Sequence, residues 1–138
     1  MSHEPARTLE QLRLEYAMQV VLAAKQKLGA DFKKYSGRSR SLPAQVMQSG
    51  LHQALLFCQA KAEPDYLCLY QQIGDWLCGK VAFSGLLILA GQPDEDVLVR
   101  LAKNDMEQYM LATREALALL VHIKRLAKAF EEQTDDEQ

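Results

Sequence analysis

The sequence predicts an all-α protein, a single compact helical bundle of about six helices with long first and last members. Three observations predict it. Only seven Gly and four Pro occur in 138 residues, and tight hairpins and long loops are built largely from those two residues. Leu, Ala, Gln, Glu and Lys dominate instead, the side chains that lose least freedom in a helix. Apolar residues then recur at steps of three and four over long stretches, which gathers them on one helix face. With 49% apolar and 25% charged residues, the chain has the composition of an ordinary folded domain rather than a disordered one. Its length suits one domain, 1–138, with the ends 1–7 and 132–138 expected to fray.

The first helix opens at Thr8, where Thr8 and Gln11 stand at capping-box spacing. Leu9, Leu12, Tyr16, Val20, Ala24, Leu28, Phe32 and Tyr35 mark one face of a helix through residue 35, with Gly29 as its weak point. Residues 36–41, SGRSRS, read as a flexible basic loop. Pro43 stands where a helix can begin, because its missing N–H would be unpaired there in any case. LPAQVMQ gives one or two turns, Ser49 and Gly50 interrupt, and LHQALLFCQAK continues to about Lys61.

Pro64 and Asp65 punctuate the chain before a helix striped by Tyr66, Leu69, Tyr70, Ile73, Trp76 and Leu77 and ended by Gly79. The apolar run 81–90 reads as a buried helix or a short strand. Helix is preferred, since no second strand is at hand to pair with. Gly91-Gln92-Pro93 is a turn, and Asp94 is placed to cap a short helix, DEDVLVRLAKN. Asp105 and Gln108 suggest a second capping box. A final helix then runs to about Glu132 on the stripe Met106, Tyr109, Met110, Thr113, Leu117, Leu120, Ile123, Ala127 and Phe130. Lys124, Arg125 and Lys128 suit the negative end of that helix.

The net charge of −2 argues against a general nucleic-acid binder. Its distribution is uneven. Residues 1–41 hold eight basic against four acidic side chains, a surplus of four; the remainder holds eight basic and fourteen acidic, a deficit of six. Lys25–Arg40 is the basic stretch. It reads either as a solvated helix face with a mobile loop or as a phosphate contact that neutralises charge without reading bases.

No catalytic or metal-binding pattern is spelled out. Cys58, Cys68 and Cys78 are spaced by ten, without a C-x-x-C pair or a nearby His, and read as small packing residues. His3, His52 and His122 have no nucleophile or base beside them in sequence. The acids at 94–96 read as a helix start. AQVMQSGLHQAL has a helix–Gly–helix outline, but its second helix is apolar and lacks a base-reading Arg or Asn. No apolar run reaches membrane-spanning length, and no signal-peptide pattern opens the chain. Three cysteines without such a signal fit a reducing, cytoplasmic setting.

Several segments carry a resemblance. They are RTLEQ at 7–11, KKYSGRSRSLPAQVMQSGLHQALLF at 33–57, LYQQIGDWL at 69–77 and DMEQYMLATREALALLVHIKRLAKA at 105–129. In this order and spacing they resemble the small all-helical subunit of the type III-B CRISPR (Cmr) RNA-targeting effector complex. Residues 79–93 have no counterpart in that pattern, and His122-Ile123 stands where the family often has an aromatic.

The resemblance implies a non-catalytic scaffold without cofactor or metal. Copies of it would stack into a minor filament beside the backbone subunits that hold guide RNA and cleave target RNA. Its partners would be other Cmr-complex subunits, copies of itself, and guide and target RNA, with no membrane and no small-molecule substrate. Carried onto this sequence, it points to Lys33, Lys34, Arg38 and Arg40 as RNA-backbone contacts, with Arg7 and Lys61 as further candidates. A helical adaptor binding protein alone, the small subunit of the sister type III-A complex, and an enzyme are the competing readings.

Overall fold

The protein, seen here as a computed structural model, is described over residues 6–136. Helix α1 (Leu9–Leu28) begins as its capping chemistry requires. The Thr8 hydroxyl accepts from the Gln11 N–H at 3.1 Å, and the Gln11 side chain accepts from the Thr8 N–H at 2.8 Å. Gly29 ends it with φ of +55°, a conformation costly to any residue with a Cβ. One 3-10 turn (Gly29–Asp31) leads directly into α2 (Phe32–Ser49). The single long helix expected through residue 35 is therefore two helices joined at Gly29.

SGRSRS is not a loop. It forms the second and third turns of α2, and Pro43 lies inside that helix rather than at its start. The reason is burial at helical spacing. Phe32, Tyr35, Ser36, Ser39, Leu42 and Val46 all turn inward, and two of these are serines. The Ser39 hydroxyl donates to the Ser36 carbonyl at 2.7 Å, which lets a small polar residue sit in the core with its hydrogen bond made. A stripe that includes serines is invisible to a count of apolar residues.

Gly50 (φ +91°) breaks the chain between α2 and α3 (Leu51–Lys61). Helix α4 (Pro64–Leu77) starts with Pro64 in its first turn, and the whole predicted stripe from Tyr66 to Leu77 is buried. Residues 78–96 are irregular apart from one 3-10 turn at Ala82–Ser84, so the helix preferred for 81–90 does not form. Positive φ at Gly79 and Gly85 bends this segment, and the Leu77 carbonyl accepts from the N–H groups of Ile88 and Leu89 at 3.2 and 2.9 Å.

Arg100 holds the segment in place. It is 4% exposed and donates to the carbonyls of Cys78, Leu89, Gln92 and Glu95 at 2.8–3.1 Å. Five donors on a rigid fork satisfy backbone acceptors that no helix or strand serves.

Asp96, not Asp94, caps α5 (Val97–Lys103), accepting from the Val99 N–H at 3.2 Å. Asp105 accepts from the Gln108 N–H at 2.8 Å at the head of α6 (Met106–Asp136), which continues beyond the end expected near Glu132. The first half of its buried stripe differs from expectation. Ala112, Ala116 and Leu119 face the core, while Met106 and Met110 are 78% and 54% exposed. Small alanines let α6 approach its neighbours closely.

Helix α6 packs along both α1 and α2, and α4 fills the space between α2 and α3. Trp76, Tyr35, Leu69, Ile73 and Leu120 form the centre. Polar contacts tie the layers. Tyr16 and Tyr35 donate to the Gln72 backbone and side-chain carbonyls at 2.5 and 2.6 Å, and the Gln72 amide donates to the Val20 carbonyl at 3.0 Å. Among the described residues no strand occurs, and no helix is long and apolar enough to cross a membrane.

Candidate nucleic-acid interface

Six cations were singled out from sequence, and the structure separates them by what each one touches. Lys33 and Lys34 open α2 and are exposed. Lys34 lies 3.6 Å from Asp31, a surface pair, and Lys33 has no side-chain partner among the described residues. Both stand on a rigid helix, so their spacing is fixed by the 1.5 Å rise and 100° turn of each residue.

Arg38 and Arg40 hold the fold as well as carrying charge. Arg38 pairs with the buried Asp65 at 3.2 Å and lies over the Tyr66 ring, 4.7 Å from its centroid. Arg40 donates to the Ser36 hydroxyl at 2.8 Å and reaches the buried Glu131 at 3.4 Å. The Ser36 hydroxyl and Arg40 together keep the Glu131 carboxyl below the usual carboxylate range. Arg7 pairs with Glu15 and lies over Phe83, and Lys61 lies over Phe57. Arg7 lies just ahead of the Thr8 cap of α1, and Lys61 is the last residue of α3.

Arg40 opens onto a groove that no single stretch of sequence spells out. With Lys124, Arg125 and Lys128 of α6 it lines a groove of about 370 Å³. Lys124, Arg125 and Lys128 do not sit at the negative helix end expected for them: α6 runs on to Asp136, at least two turns further, and a terminal dipole fades within one turn. Their spacing, K-R-x-x-K, was the available signal. It sets three cations on adjoining ridges of one helix, and only the return of α2 beside α6 adds the fourth.

Charge asymmetry along the chain is partly neutralised within the fold. Arg13, Arg38 and Arg40, all from the basic first part, pair with Glu115, Asp65 and Glu131 of the acidic remainder. Cys58, His52 and His122 make structural contacts. Cys58 is buried and its thiol is pushed up to about 11 by burial, then by Asp65. Exposed His52 meets the Tyr109 hydroxyl at 2.5 Å, and His122 lies 3.1 Å from Glu10. His3 lies outside the described residues. Among the described residues no cluster of His, Cys, Asp and Glu is placed to hold a metal ion.

Fold and surface together define an all-helical protein with a cationic groove between two packed helices. Over residues 9–130 the chain matches the family model described as CRISPR-associated protein (Cas_Cmr5). It belongs to that family, and is thus a subunit of the type III-B Cmr complex, which it shares with other subunits.

Proposed function

We propose that this subunit is a non-catalytic cytoplasmic scaffold that stacks copy on copy within the Cmr complex and touches guide and target RNA through phosphates alone. The observation that carries the reading is the pair Lys33 and Lys34, exposed on a rigid helix start and free of any buried acid. A backbone contact needs charge at fixed spacing and no base-reading groups. In a guided complex base pairing supplies the sequence, so such a contact suffices.

Reversing all four α2 cations would be a poor test, because it would set a carboxylate against buried Asp65 and Glu131. Lys33→Glu/Lys34→Glu avoids that. Tagged chain, wild-type or double variant, is co-expressed with the Cmr subunits and a guide RNA, and target RNA binding is measured on the purified assembly. The expected result is intact assembly with at least tenfold weaker target binding, the loss shrinking as salt rises. Unchanged binding by the double variant would leave the protein-only adaptor as the better reading.

A further inference from the structure

We infer that the groove between α2 and α6 is a second phosphate seat, distinct from the lysine pair at the head of α2, and that its ligand is a run of adjacent phosphates in an RNA backbone. The inference rests on the scaffold reading above and extends it to residues that reading does not use.

The groove walls are Arg40, Lys124, Arg125 and Lys128. Two of these cations have counter-charges: Arg40 has Glu131 at 3.4 Å, and Lys128 has the exposed Glu132 at 3.8 Å. Lys124 and Arg125 have no side-chain partner among the described residues, although Lys124 is half-buried. Like charges at helical spacing repel, and a half-buried one has less water to screen it. A fold that keeps four cations around one cavity gains from an anion placed among them.

The chemistry of that anion follows from the walls. A single carboxylate would be met by one fork, whereas four cations spread over two helices match several negative groups in a row. Arginine adds paired donors that fit phosphate oxygens. None of the four groove-lining residues is aromatic, so the walls offer no ring for a base to stack on, and four cations together favour the charged backbone. Free oligophosphate shares the same chemistry and is the rival source.

The test uses the assembled complex and its target RNA. Lys124→Glu/Arg125→Glu/Lys128→Glu is compared with wild type and with Lys33→Glu/Lys34→Glu, and affinity is read across a salt series. The expected result for the triple variant is normal assembly, at least tenfold weaker RNA binding, and a salt slope shallower by about two, given roughly 0.7 per single-strand phosphate. Affinity and slope like wild type would overturn the inference, whatever the lysine pair does. A silent lysine pair with a weakened triple variant would overturn the scaffold contact at α2 and leave the groove standing. Loss of assembly by a triple variant whose isolated chain melts like wild type would assign the groove to a protein neighbour and overturn the inference. A companion measurement follows the melting temperature of the isolated chain with tripolyphosphate and with a short RNA. Stabilisation by tripolyphosphate alone would make free oligophosphate the ligand and overturn the RNA assignment.

Discussion

Arg13 of α1 grips Glu115 of α6 through two hydrogen bonds of 2.7 Å each, and the same carboxylate accepts from the Trp76 indole at 2.9 Å. Three helices therefore meet on one buried acid. Glu115 is 6% exposed in the intact fold, and Arg13→Ala leaves its carboxyl with the indole as its remaining partner. Loss of about 3 kcal/mol is expected, read as a lower urea midpoint. Arg13→Met/Glu115→Gln should recover most of it, since it removes the unpaired charge while the new amide oxygen still accepts from the buried Trp76 N–H.

Pro43 inside α2 is a local fault that the fold carries. A proline in a helix interior costs about 3 kcal/mol, and loss of its stiffening effect on the unfolded chain returns under 1 kcal/mol of that. Pro43→Ala is therefore expected to stabilise the protein by roughly 2 kcal/mol. An unchanged or lowered melting temperature would mean that the ring's packing outweighs the strain.

Gly91 lies so close to Arg100 that an added Cβ would stand 2.8–2.9 Å from three atoms of that side chain. Because Arg100 is pinned at four carbonyls, it has little freedom to withdraw. Gly91→Ala should cost about 1–3 kcal/mol by overpacking and raise hydrogen exchange in residues 78–96 before the rest of the molecule. Uniform exchange across all helices would count against the pin.

Cys58 gives a pH signature. Its thiol sits near 11 in the fold against an ordinary value of 9.0. The unfolded chain therefore ionises first as pH rises. This contribution to stability is complete below pH 9 and is lost between pH 9 and 11. Cys58→Ala should make the alkaline decline shallower, with Cys68 and Cys78, also raised by burial, supplying the rest. In the wild type at pH 8 the Cys58 thiol should resist a disulfide reagent until denaturant is added.

Where burial follows apolar side chains, the sequence reads well. The α4 stripe, the Thr8 cap and the break at Gly50 are all where periodicity and turn chemistry put them. It reads poorly where polar residues do the packing. Ser36 and Ser39 disguised two turns of α2 as a loop. The apolar run 81–90 looked helical because the side chain that orders it, Arg100, lies outside the run. The groove shows the same limit at the surface. Arg40 stands among basic neighbours in sequence, whereas its neighbours in space come from residues 124–128 and depend on how α6 returns beside α2.

The Arg100 fork also bears on how this chain can vary. Helical segments keep their length in register, because an inserted residue rotates every later side chain by 100°. The stretch 78–96 is under no such rule: what it must deliver is four carbonyl oxygens to one guanidinium. Any detour that returns those oxygens, keeps Leu89 in the core and spares Gly91 beside Arg100 fits, so length and letters are free only at the exposed positions in between while the arginine stays. One side chain thus makes this corner of the bundle the natural place for a foreign peptide tag or a shortened loop, and Arg100 itself the residue that such redesign must leave alone.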